Sequence, residues 1–175
     1  MTIPTGIADE RFKRQEGEVE DEGLALRKKV GVSLDTNIWL MVQRLAPEKD
    51  TQKALKALAD LPSGRKVHLV IAGDGPARED LEAMAEAGSL PVTFLGNTPN
   101  AELPKLYRGA DVFITCSVSE TFGLTVLEAL ACGLPVALPH CAVFDELWEA
   151  KLPADWWPSL FSWQGRRGRG YWRRG

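Results

Sequence analysis

The sequence predicts an α/β fold, a doubly wound parallel sheet in a single domain. Three observations predict it. Short apolar runs alternate with stretches of helical periodicity from residue 37 to residue 150. Strands that alternate with helices pair in parallel through right-handed crossovers, which places helices on both faces of the sheet. The 175 residues are 45% hydrophobic and 26% charged, the composition of one ordinary globular domain with a real core.

Residues 3–7 (Ile-Pro-Thr-Gly-Ile) form a short extended piece ending in a turn. Residues 9–22 are mostly charged, with Glu16, Glu18, Glu20, Asp21 and Glu22 close together, and read as a solvated helix face or a loop without a function. Residues 37–43 are an apolar run suited to a buried strand. Residues 51–61 place Leu55, Leu58 and Leu61 at helical spacing behind the candidate cap Thr51. Further strands are expected at 67–72, 92–95, 111–116 and 135–138. Further helices are expected at 76–87, 101–107, 122–132 and 143–150, with Gly88 and Gly133 suited to two of the helix ends. Domain boundaries follow at about residues 30 and 155. Residues 156–175, with Arg166, Arg167, Arg169, Arg173 and Arg174 among glycines and tryptophans, lack a core periodicity and read as a disordered basic tail.

Composition also narrows the function. A formal net charge of -3 gives no global pull towards nucleic acid or anionic membrane. Three cysteines without tight spacing argue for buried free thiols rather than a disulfide framework or a zinc site, and no metal cluster stands out. Met1-Thr2-Ile3-Pro4 lacks the basic start and apolar core of a secretory signal, and no apolar run approaches the roughly 20 residues of a membrane span. A cytoplasmic location is expected.

In such sheets ligands bind beyond the carboxyl ends of the strands, so the loops there are where chemistry is expected. After the fourth strand comes Ser119-Glu120-Thr121-Phe122-Gly123-Leu124-Thr125-Val126-Leu127-Glu128. A small-residue turn opens a helix whose first amides are unpaired and carry partial positive charge, so a phosphate is the natural guest. Glu128 lies about two turns on, roughly 9 Å along the axis, about the span from a diphosphate to a ribose. Its carboxylate suits a vicinal diol, and Glu120 can face a sugar on the other side of the phosphates. On the loop after the first strand, Arg44 and Lys49 are two cations apt for a diphosphate and for the charge of a departing nucleotide.

Taken together, residues 44–50, the turn Gly73-Asp74-Gly75-Pro76, and residues 120–135 resemble glycosyltransferase family 4, with Glu120 and Glu128 matching its two glutamates separated by seven residues. The resemblance runs from residue 3 to about residue 149. It implies a Rossmann-like fold and the carboxyl-terminal, donor-binding domain of the two-domain GT-B architecture, entered through a hinge at residues 3–12. It implies that Arg44 and Lys49 hold the diphosphate, Glu128 the ribose and Glu120 the donor sugar. It implies that Thr121, Phe122, Gly123 and Leu124 line the phosphate and sugar, and that Gly96 and Asn97 lie near the base. The implied reaction is transfer of a sugar from a nucleotide diphosphate to an acceptor hydroxyl with retention, without a metal or other cofactor. Residues 3–7 and 110–135 look most like members that glycosylate diacylglycerol, which implies a UDP-sugar donor, a lipid acceptor and an enzyme peripheral to a membrane.

Three departures from that family are visible. Gln43 replaces a usual glycine and puts a side chain beside the expected donor. Residues 139–144 replace a Gly-Gly-rich turn. The family's amino-terminal domain, with its acceptor site, is missing, as are its final strand and helices after Trp156. The chain alone is therefore expected to be inactive, and a non-catalytic nucleotide-sugar-binding module is the competing reading. Asp74 reads as a turn residue, His68, Tyr107 and the tryptophans as packing groups, and His140 as lacking a catalytic partner. RNA binding by the arginine tail ranks behind disorder, so no nucleic acid is expected as a partner.

Overall fold

The computed structural model describes Phe12, residues 21–119 and 123–139, and the backbone of residues 18–20, 160–166 and 169–174. The elements run α1 (Glu18–Val30), β1 (Asn37–Val42), α2 (Thr51–Ala59), β2 (Val67–Ala72), α3 (Arg78–Ala87), β3 (Val92–Gly96), α4 (Leu103–Gly109), β4 (Val112–Ile114), α5 (Leu124–Ala131), β5 (Val136–Leu138), β6 (Leu160–Arg166) and β7 (Arg169–Arg174). The sheet order is β3-β2-β1-β4-β5-β6-β7, parallel from β3 to β6 and closed by antiparallel β7. The fold is the doubly wound α/β sheet expected. The chain winds outward from β1 to β3, then returns to the other side of β1 with β4, which makes the β1–β4 boundary its switch point.

Alternation along the strands sorts the core into two layers. Ile38, Leu40, Val42, Val70, Ala72 and Phe113 pack with Leu26 of α1, Leu106 and Tyr107 of α4 and Leu130 of α5. Met41, Leu69, Ile71 and Ile114 pack with Leu55 and Leu58 of α2 and Leu81 of α3. Burying each such side chain is worth about 1.5–3 kcal/mol, and this apolar pattern is what drives the helices onto the sheet.

Polar ties fix the arrangement. Asp111, just before β4, accepts the Ile38 amide and the Arg27 guanidinium on one oxygen, both at 2.6 Å, while its own amide donates to the Ile38 carbonyl at 3.0 Å. Arg108 of α4 donates to both carboxylate oxygens of Glu22 at 2.6 and 2.7 Å. That pair docks α1 on α4. A methyl on Gly109 would lie 2.8 Å from the Glu22 carbonyl oxygen, so the two helices meet where a side chain would separate them.

Two expectations change. The end of the charged run, from residue 18, is helical, one of the two forms expected, but Glu22 is paired with Arg108, 86 residues away, rather than solvated. The basic tail read as disordered and outside the fold contains two strands, with β6 pairing β5 from Val136↔Leu160 and β7 completing a hairpin. The edge of β5 offers a row of unpaired backbone groups, and a segment containing Leu160, Phe161 and Trp163 has the composition to take it. Residues 3–11 of the expected hinge, the helix at 143–150, His140, Cys141 and the turn from residue 140 lie outside the described residues.

Candidate functional site

The loops at the carboxyl ends of β1, β2 and β3 are joined through backbone. Gly73 has φ +140°, its amide donates to the Gly96 carbonyl at 2.8 Å, and a methyl there would overlap the Gln43 carbonyl oxygen. A methyl on Gly75 would overlap the Leu45 carbonyl, while the Leu45 amide donates to Asp74 at 2.9 Å. Both glycines are therefore required by close approach of main chain to main chain. The Asp74 carboxylate accepts the Gly75 amide at 2.8 Å and pairs with Arg78, the turn role expected of it.

From this platform Arg44 emerges exposed, and a single 3-10 turn, Pro47–Lys49, carries the chain to α2. Lys49 Nζ reaches across the switch point to the Ser119 carbonyl, at 3.4 Å. Ser119 leads into the turn before α5. Gly123 caps that helix at φ +59°, a left-handed conformation that glycine adopts without strain, and Leu124 is exposed at its first turn. Glu120, Thr121 and Phe122 lie outside the described residues.

Glu128 is the one ionisable side chain of α5, whose sequence is LTVLEALA. It is half-buried, and the Tyr107 hydroxyl donates to its Oε2 at 2.7 Å. Burial raises the Glu128 carboxyl above the ordinary carboxylate range, and the tyrosine bond opposes that rise. Burial, then the Glu128 charge, pushes the Tyr107 phenol up in turn, so the phenol stays a donor. Cys132 lies on the same side, its thiol pushed up to about 12 mainly by burial. Tyr107 is at 0% exposure, edge-on to Phe12 at 6.2 Å and tilted against Phe113 at 5.9 Å.

Residues 24–148 match the family model for glycosyl transferases group 1. The chain belongs to this family. It is 43% identical over 138 residues to an alpha-monoglucosyldiacylglycerol synthase of Streptococcus pneumoniae, an alignment covering 77% of this chain and 31% of the relative. It is 34% identical to the Acholeplasma laidlawii protein of the same name, covering 82% of this chain and 36% of that one. The chain thus spans about a third of the length of the curated relatives it matches. Among solved structures, Anabaena HepE in complex with UDP and glucose superposes with a TM-score of 0.66 at 26% identity, covering 78% of this chain and 37% of that one.

Within this member of the family, the structure brings the Lys49 loop against the β4–α5 turn and puts Glu128 on the helix that follows. Gly96 and Asn97 stand apart, at the end of β3 on the far side of β2, with Gly96 buried and Asn97 exposed. Tyr107 packs as expected, but its hydroxyl also holds Glu128. The signal was available, because a buried tyrosine tip needs a hydrogen-bond partner. His68 is packed in β2, bonded to Thr93 Oγ1 at 2.8 Å, and burial lowers its pKa. Cys132 is buried and Cys116 half-buried, both free thiols, with Cys116 raised to about 11 by burial first. Among the described residues no three His, Cys, Asp or Glu side chains converge, and no helix is long and apolar enough to cross a membrane.

Proposed function

We propose that this chain is the donor-binding part of an enzyme that moves a sugar from a nucleotide diphosphate to an acceptor hydroxyl, with retention at the anomeric carbon. The observation that carries the reading is Glu128, a half-buried carboxylate gripped by Tyr107 on a helix that starts at a left-handed glycine beside the reach of Lys49. One Glu128 oxygen serves the tyrosine, and the other suits a ribose hydroxyl. Arg44, Lys49 and the start of α5 then offset the charge of the departing diphosphate, as a cation does elsewhere, so no metal or cofactor enters.

In that reaction the bond from the anomeric carbon to the phosphate oxygen breaks. The acceptor oxygen bonds that carbon on the same face, and its proton passes to the departing phosphate. Glu120 meets the sugar, and Thr121, Phe122, Gly123 and Leu124 line the phosphates and sugar. Gly96 and Asn97 lie towards the base. The names of the pneumococcal and Acholeplasma relatives, with the UDP and glucose bound by HepE, favour a UDP-sugar donor and a diacylglycerol-type acceptor met at a membrane surface. Acceptor recognition belongs in this reading to an amino-terminal domain outside the sequence, so the chain alone binds donor without turnover.

Calorimetric titration of UDP and GDP into the purified chain tests the reading. Binding is expected, and Glu128→Ala or Lys49→Ala each weakens it roughly 10- to 100-fold, the worth of a hydrogen bond to a charged group. A folded chain that binds neither nucleotide refutes it.

A further inference from the structure

The carboxyl ends of β1 and β4 part before the ligand-side loops begin. β1 pairs with β2 as far as Val42↔Ala72, but with β4 only as far as Leu40↔Phe113. The side chain of Gln43 bridges the divergence. Its Nε2 donates to Thr51 Oγ1 at 2.8 Å and to the Lys49 carbonyl at 3.4 Å, and its Oε1 accepts from the Thr115 hydroxyl at 3.3 Å. A carbonyl can only accept, which settles which end of the amide faces Lys49.

The bonds continue beyond Gln43 and return to their start. Thr115 Oγ1 accepts the Ser117 amide at 3.2 Å, and Ser117 Oγ accepts the Ser119 amide at 3.3 Å. The Ser119 carbonyl then accepts Lys49 Nζ at 3.4 Å. Thr51 and Ser117, at 1% and 0% exposure, are shielded from water, so their polar atoms depend on these partners. The loop after β1 and the loop after β4 are thereby tied through one amide.

We propose that Gln43 is a positioning residue for Lys49, setting the span between the two loops and so the place where the ammonium meets a diphosphate. The proposal rests on the donor-binding reading above. Its physical content is preorganisation. Loops already spaced in the free chain lose less freedom when a ligand arrives, and that saving appears as affinity. Sequence reasoning saw only a side chain beside the expected donor, because its partners lie 6, 8 and 72 residues away.

The test is a double-mutant cycle read by UDP calorimetry. Gln43→Leu keeps the volume and removes the polar bridge. It is expected to weaken UDP binding about tenfold in the wild-type background and less than about twofold when Lys49 is already alanine. No loss in the wild-type background, or the same loss in both, overturns the proposal. Gln43→Glu keeps the acceptor for Thr115 but sets a carboxylate against the Lys49 carbonyl, so it weakens binding in the same direction if the leucine variant melts early. Amide exchange of the ligand-free chain gives a separate reading. Ser117 and Ser119 exchange faster in Gln43→Leu while β2 keeps its protection, and unchanged Ser117 and Ser119 in that variant overturn the bridge. Failure of the wild-type chain to bind UDP or GDP, with that faster exchange present, refutes the donor reading and sustains the bridge.

Discussion

The two sides of the candidate site are held in different ways. Glu128 depends on one short bond, 2.7 Å, from a tyrosine at 0% exposure wedged between two phenylalanines. Lys49 belongs to a series of bonds of 2.8 to 3.4 Å running through Thr51, Gln43, Thr115, Ser117 and Ser119. The carboxylate inherits the rigidity of the core, whereas the ammonium is reached by a series of bonds through two linked loops. The physical difference is desolvation. A half-buried charge is costly unless it is tightly paired, while a lysine at the surface can stay hydrated and be steered by weaker contacts.

The comparison is broken most severely at Gly73. An alanine there would drive its methyl into the Gln43 carbonyl and uncouple the Lys49 loop from the sheet. Gly73→Ala is expected to cost about 3 kcal/mol in denaturant unfolding, at the high end for a single substitution. Tyr107→Phe attacks the other side. It leaves the ring in place but a carboxylate unpartnered, so stability falls by about 1–2 kcal/mol and UDP binding weakens roughly tenfold.

A pH series sharpens the contrast further. The Glu128 carboxyl is raised in the folded chain, chiefly by burial. Between the ordinary carboxylate value and the raised one, the folded chain therefore holds a proton that the unfolded chain has released. Its contribution to stability is greatest below that interval and is lost as pH rises through it. UDP binding, which in the proposed reading uses the carboxylate, is expected to move the opposite way and weaken as pH falls through the same interval. Glu128→Gln is expected to flatten both trends, checked by melting temperature and calorimetry across acidic pH. The smallest effect belongs to Thr51→Val, which removes one acceptor of Gln43 and weakens UDP binding about threefold by calorimetry.

Much of this was legible in the sequence where the signal is local. Residues 67–72 match β2, Val67–Ala72, because a buried run ends at Gly73-Asp74-Gly75, whose chemistry forbids a strand. Gly123 and Glu128 follow from the spacing on one helix, and Lys49 from its place after β1. What escaped depends on distant partners. Among its described residues α1 fully buries one apolar side chain, Leu26, and Glu22–Arg108 and Arg27–Asp111, pairs 86 and 84 residues apart, tie it down. The tail was read as disordered for want of any core periodicity, whereas its backbone answers to the open edge of β5. The bond from Tyr107 to Glu128 links two helices separated in sequence by β4, so helical spacing does not name the partner that the buried tyrosine tip needs.

Asp111 has a mechanical consequence. By taking the Ile38 amide and the Arg27 guanidinium, it clamps β1 to β4 at their amino ends, and the pairing of these strands stops at Leu40↔Phe113. Beyond that point the two strands are joined by the Gln43 side chain and Thr115 rather than by backbone. The loops that carry Lys49 and Ser119 therefore extend from strands that are pinned at their opposite ends by one aspartate.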